Sequence, residues 1–277
     1  ICRLMEKVFP LKQEPSLWAS NRGSLGVFLM DSPVGEKASQ LEEAIQCFED
    51  ALRVFTFHEQ PLLWAQTHSN LGSVFNSRIY GEKKGNIELA ISHFEKALTV
   101  RSKTENDDLA ATLGGLGNAY LSRIEGDRRV NIEKAISYLE KAFRIQKFEN
   151  NPDWWFATIA NLKDAYIQRL EKDSTENIEK ALDYVKAALE KIDQKESPEL
   201  WARMTSYAAD VYSERLVGDK SENIEKAIHY YKNSLLILDR VKYTYLWANI
   251  QINYALLYMN RIKGSQRENF EQAILIF

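Results

Sequence analysis

Chemistry in this chain would have to come from four histidines, two cysteines and a recurring arginine. His58, His68, His93 and His229 share no helical face, in any recurring way, with a second His, Cys, Asp or Glu at a metal-ligand spacing. Cys2 and Cys47 are too few for a disulfide scaffold or a cysteine zinc site. As lone thiols they fit a reducing compartment, here read as the cytoplasm. No H-E-x-x-H, G-x-S-x-G or glycine-rich phosphate loop occurs. The expectation is therefore no catalytic residue, no metal and no cofactor, with the histidines in structural or surface roles. Arg78, Arg123, Arg169, Arg215 and Arg261 recur at steps of 45–46 residues. They could form an anion-binding ladder. The preferred reading is structural: each Arg closes the last turn of one helix and meets a Glu at the start of the next.

The elements that position these residues follow from composition and periodicity. With 36 Lys+Arg against 39 Asp+Glu, the chain carries no electrostatic footprint for nucleic acid. No apolar run approaches the 18 or so residues of a membrane span. Gly and Pro are scarce beside abundant Ala, Leu, Glu and Lys, which argues for an all-α chain.

Asn-Ile-Glu begins at Asn86, Asn131, Asn177 and Asn223, and Asn-Phe-Glu at Asn269. Trp18, Trp64, Leu109, Trp155, Trp201 and Trp247 keep the same step, as do the five arginines. Three markers in one register establish an internal repeat. Within each repeat Trp64, Leu71, Phe75 and Arg78 lie on one helical stripe, and Ile87, Ala90, Ile91, Phe94, Ala97 and Leu98 on another. Asn86 and its equivalents read as N-caps of the second helix, and Gly81, Gly126, Gly218 and Gly264 as left-handed residues ending the first. Gly114, Gly115 and Gly117 fall inside a helix pattern and read as close-approach positions. The expected helix pairs are 15–31/40–56, 61–80/86–103, 107–125/131–148, 153–171/177–193, 198–217/223–240 and 244–263/269–277. They form one array over residues 1–277, with repeats at about 11–56, 57–103, 104–148, 149–194, 195–241 and 242–277 and residues 1–9 as the tail of a preceding helix. The apolar C-terminal run Ile274–Phe277 and the abrupt start at Ile1 suggest a segment of a larger protein whose activity lies elsewhere.

Asn70-Leu71-Gly72-x-x-Phe75 followed by Ala90-x3-Phe94-x2-Ala97 resembles a tetratricopeptide (TPR) repeat, as do Leu116-Gly117-x-x-Tyr120 with Ala135, Leu139 and Ala142. The chain departs from that family in its 46-residue period, where 34 is usual, and in its Trp, seven residues before the Leu rather than three. The long form is similar to the arrays that precede CHAT domains, which are caspase-like proteases. The resemblance implies a right-handed α-solenoid of antiparallel hairpins whose first helices line a concave groove. It implies a scaffold for a protein or peptide partner or, alternatively, a sensor array controlling a protease domain in the same or an associated chain.

On that face the sequence places Gln66 and Asn70, then Asn118, then Asn161, Asp164 and Gln168, then Arg203, Tyr207, Asp210 and Glu214, then Asn249, Asn253 and Asn260. Amides of this kind suit a peptide backbone, and the acidic section at Asp164, Asp210 and Glu214 is expected to favour a polar or basic segment. The in-register tryptophans are expected in the core. Trp154, beside Trp155, cannot share that face and is a candidate exposed contact.

Overall fold

A computed structural model describes residues 11–32, 34–103, 106–169 and 174–276. Among them are twelve α-helices and no strand: α1 (Pro15–Asp31), α2 (Lys37–Leu52), α3 (Pro61–Ser77), α4 (Lys83–Arg101), α5 (Asp107–Ser122), α6 (Arg128–Ile145), α7 (Pro152–Ile167), α8 (Ser174–Lys191), α9 (Pro198–Glu214), α10 (Lys220–Ile237), α11 (Thr244–Met259) and α12 (Gln266–Ile276). The expected helical tail at residues 1–9, and Phe277, lie outside the described residues. The chain divides into two compact units, Ile1–Thr158 and Ile159–Phe277, the division falling inside α7.

In the first unit α1 packs on α2, α3 on α4 and α5 on α6, and the hairpins join through α2–α3 and α4–α5. In the second, α9 packs on α8 and α10, and α11 on α10 and α12. First helices of successive hairpins also touch, α1 with α3 and α3 with α5 in one unit, α9 with α11 in the other. Among the described residues, successive second helices within a unit do not. Crowded first helices and splayed second helices put the first helices on the inner side of each stack, the arrangement of an α-solenoid.

Proline opens α1, α3, α7 and α9, where its missing N–H would have had no helical partner. The first helices stop at the recurring Arg, whose backbone is extended: Arg78 has φ −61° and ψ 132°. Three residues on, Gly81, Gly126, Gly218 and Gly264 take φ of 79–84°, so the left-handed glycine turns the connection rather than the helix end.

The second helices start three residues earlier than expected, at Lys83, Arg128, Ser174, Lys220 and Gln266. Acidic residues do the capping: Asp127 accepts from the Arg129 and Val130 N–H groups, and Asp219 from Glu222. The repeated Asn is therefore not an N-cap. It sits buried in the first turn and its side-chain NH2 donates back to the connection, Asn86 to the Tyr80 carbonyl at 2.8 Å and Asn131 to Glu125 at 2.8 Å. A short carboxylate in extended conformation just ahead of the helix caps it equally well, and frees Asn to staple the loop.

The four middle hairpins are closed by stacked rings: Phe75–His93, Tyr120–Tyr138, Tyr166–Tyr184 and Tyr212–Tyr230, with centroids 5.4–6.0 Å apart. In the first unit Phe94 is held between two first helices. A Cβ on Gly72 would come within 2.8 Å of its ring, and one on Gly115 within 2.4 Å, so both positions admit only glycine at this spacing. Gly115 thus has the close-approach role read from the sequence. The in-register tryptophans line the joints between hairpins: Trp18 and Trp64 flank Ala51 and Phe55, and Trp155 lies among Phe143, Phe148 and Phe156.

Candidate functional site

The recurring arginines are fully engaged. Arg78 donates Nε and a terminal NH2 to the two carboxylate oxygens of Glu42, both at 2.7 Å, and its other NH2 donates to Asn86 Oδ1 at 3.3 Å. Arg123 meets Glu88, Arg215 meets Glu179 and Arg261 meets Glu225 in the same two-pronged way. Arg169 lies over the Tyr166 ring, 5.7 Å from its centroid, as the other four lie over theirs. The sequence reading placed each Arg against the Glu of its own second helix. The structure places the four against the Glu of the preceding repeat, so the pair ties neighbouring hairpins together rather than bracing one connection. The hydrogen bond from Arg78 holds the Glu42 carboxyl below the usual carboxylate range, and that from Arg215 does the same to Glu179. Guanidinium forks filled by carboxylates do not present a ladder to outside anions.

Arg123 and Glu88 are 24% and 32% exposed, so solvent tempers the interaction. Arg123→Ala is expected to lower stability by about 1–2 kcal/mol, because Glu88 and Asn131 lose a shared donor. Urea unfolding of Arg123→Ala, Glu88→Ala and the double variant checks this. A coupling energy near zero contradicts it.

In the first unit, α1 and α3 enclose a cleft of about 410 Å³ whose walls include Val27, Phe55, Leu63, Gln66 and Asn70. Gln66 donates to Asn70 at 3.1 Å and accepts from Arg101, which is itself 4% exposed and donates to Thr112 Oγ1 at 2.7 Å. Asn118 on α5 is half-buried. Trp154 is 46% exposed in the first turn of α7, whereas Trp155 is 4% exposed.

The second unit holds two larger clefts on its inner face. One, of about 610 Å³, is lined by Lys163, Asp210, Glu214, Lys220, Tyr231 and Asn260 among others. The second, of about 560 Å³, is walled by Arg203, Tyr207, Tyr245, Leu246, Asn249 and Ile250. Asp210 and Asn253 belong to both. Seven of the groove residues read from the sequence (Arg203, Tyr207, Asp210, Glu214, Asn249, Asn253 and Asn260) thus come together. Asn161 and Asp164 are half-buried on α7 and Gln168, just past its end, is exposed, all three outside both clefts.

The electrostatics of this section differ from the sequence reading. Lys163, 6% exposed, places its ammonium 2.9 Å from both Asp210 and Asp164 and 4.7 Å from the centre of the Tyr207 ring. Tyr231 donates its hydroxyl to the other oxygen of Asp210 at 2.5 Å. Burial works against the Lys163 charge, but the two carboxylates outweigh it and raise its pKa. Burial and the Asp210 charge push the Tyr231 hydroxyl up, so it stays a donor. Two of the three acids expected to attract a basic segment therefore share an internal cation, which offsets one of their two charges.

Sequence reasoning missed Lys163, although a signal was present. Eight residues after each in-register Trp or Leu stand Gly26, Gly72, Gly117, Lys163, Ala209 and Ala255. A lysine in a column of the smallest residues marks a local change of packing. Missed too was the meeting of His68 and His93, whose Nδ1 atoms lie 2.8 Å apart between α3 and α4, with Trp64 edge-on to His68. Among the described residues no three His, Cys, Asp or Glu side chains gather as metal ligands, and no helix is long and apolar enough to cross a membrane.

Comparison with known proteins gives short matches. Residues 77–104 match the tetratricopeptide repeat, and residues 113–144 and 207–234 match the Sel1 repeat. Each covers one hairpin or part of one, so the chain is similar to both kinds of helical repeat over a minority of its length. No curated protein matches the chain.

Proposed function

We propose that the protein is a non-catalytic interaction scaffold which holds a peptide or an extended protein segment against the first helices of its second unit. The observation that carries this is the convergence of two adjoining clefts on α9 and α11, sharing Asp210 and Asn253 and walled by tyrosines, amides and aliphatic side chains. Rigid aromatic walls give contact area at little entropic cost, and amides serve a backbone in either hydrogen-bonding sense. The cleft at Gln66 and Asn70 and the exposed Trp154 offer the first unit as a further contact. The similarity to tetratricopeptide and Sel1 repeats supports the same reading.

Selection of a displayed nonapeptide library on the full chain tests it. Tyr207→Ala with Tyr245→Ala is expected to weaken the selected peptides at least tenfold. Leu236→Arg, on the outer helix α10, is expected to leave them unchanged. The opposite pattern moves binding to the outer face.

The 46-residue period favours one alternative, a regulatory array that senses a partner and controls a CHAT-type caspase-like protease in the same or an associated chain. The complete reading frame around these residues separates the two: an adjoining caspase-like domain supports the alternative, and its absence from that frame and from neighbouring ones removes it.

A further inference from the structure

We infer that the α9–α11 cleft selects an acidic side chain of its peptide, with Arg203 as the specificity-determining residue. The inference rests on the groove reading above and gives it a sign, opposite to the one the acidic residues of the sequence suggested.

The cleft carries two charged side chains. Asp210 is its only carboxylate, and both oxygens are taken, one by Lys163 at 2.9 Å, the other by Tyr231 at 2.5 Å and Asn253 at 3.5 Å. Arg203 is its only cation. Among the described residues the Arg203 guanidinium has no hydrogen bond or ion pair, in contrast to Arg78, Arg123, Arg215 and Arg261, each of which holds a glutamate. Asn249, one helix across on α11, likewise has no partner among the described residues. A half-buried guanidinium with five donors and a facing amide matches one carboxylate in a planar, two-pronged contact. Tyr207, Tyr243 and Tyr245 with Leu246, Ile250 and Ile252 supply the apolar part of the wall, which suits an aliphatic residue next to the acid in the ligand. A lysine or arginine entering here would meet Arg203 with no free carboxylate to offset it, which is the repulsive half of the selectivity.

The test uses three fluorescein-labelled nonapeptides of one aliphatic framework that carry Glu, Gln or Lys at a single central position, titrated against the full chain by fluorescence polarisation. The Glu peptide is expected to bind at least tenfold more tightly than the Gln peptide, and the Lys peptide more weakly than either. Arg203→Gln should remove the preference, and Arg203→Glu should invert it in favour of Lys. Asn249→Asp, a change on a different helix, should weaken the Glu peptide alone. Equal affinities for the three peptides, or a preference for Lys in the unaltered protein, overturns the acidic assignment and leaves groove binding standing. Binding by all three that survives Tyr207→Ala with Tyr245→Ala overturns the groove reading itself.

Discussion

Replacing Asp210 by alanine is expected to destabilise the second unit by about 3–5 kcal/mol, the usual result of stranding one member of a buried ion pair. Lys163 is 6% exposed and would keep only Asp164, whose side chain is 50% exposed. Tyr231 would lose the acceptor of its hydroxyl in a site where burial keeps that hydroxyl protonated. The loss should be relieved by the second change Lys163→Met, because an apolar side chain of similar length leaves no charge to neutralise. Chemical denaturation followed by circular dichroism, on the single and the double variant, measures both effects. A loss below about 0.5 kcal/mol for Asp210→Ala, or a double variant no better than the single, contradicts the arrangement, since an uncompensated buried ammonium cannot be silent.

Acid is expected to loosen the first unit between pH 6.5 and 4. Burial depresses both imidazoles to about 4, with Lys96 adding to the effect on each and His93 adding to it on His68. A depressed histidine pKa means that the unfolded chain binds protons in this window and the folded one does not. The stability of the neutral pair is thus complete above pH 6.5 and is lost as the pH falls towards and through 4. The two rings titrate as a pair, and the loss over that range belongs to the pair rather than to either ring. The geometry gives the reason: with Nδ1 atoms 2.8 Å apart, one ring donates and the other accepts, and a proton on both sets two N–H groups head to head. Phe75 stacks on His93 and Trp64 lies edge-on to His68, so the two imidazoles meet within an aromatic cluster. Urea midpoints of the native protein should fall steeply from pH 7 to 4.5, and those of His68→Leu with His93→Phe should fall far less. Parallel curves for the two proteins would refute this.

The repeat and the helix hairpins were legible because each rests on periodicity, and periodicity is local; the inner position of the first helices was what the resemblance to tetratricopeptide repeats implied. Gly115 and Gly117 could be read as close approach because they fall inside a helix pattern, and a Cβ at either would meet Phe94 or Leu139, whereas Gly114 has no such neighbour. Partners across the joint between repeats were not legible. Arg78 could be matched with a glutamate by type, but Glu42 and Glu88 stand in equivalent positions of successive repeats, and only packing chooses between them. The role of Asn86 was misread because Asn caps helices well, and nothing local told that the chain would begin its helix at Lys83 and use Asn86 to bind the Tyr80 carbonyl. The sign of the groove was misread for a related reason. Asp164, Asp210 and Glu214 were read as one acidic section, while the ammonium that two of them share comes from Lys163, a buried residue in the column of small side chains. His68 and His93 lie on separate helices, so no spacing rule within one helix could bring them together.

The central claim is that a ligand lies along the first helices of the second unit. It is tested most directly by photocrosslinking. Benzoylphenylalanine is placed singly at Asn249, in the α9–α11 cleft, and at Leu236, which is 76% exposed on the outer helix α10. Each protein is irradiated with a peptide selected on the unaltered chain, and the adducts are mapped by mass spectrometry. The expected result is an adduct at position 249 that is suppressed by excess unlabelled peptide, and none at 236. An adduct at 236 with none at 249 would contradict the claim.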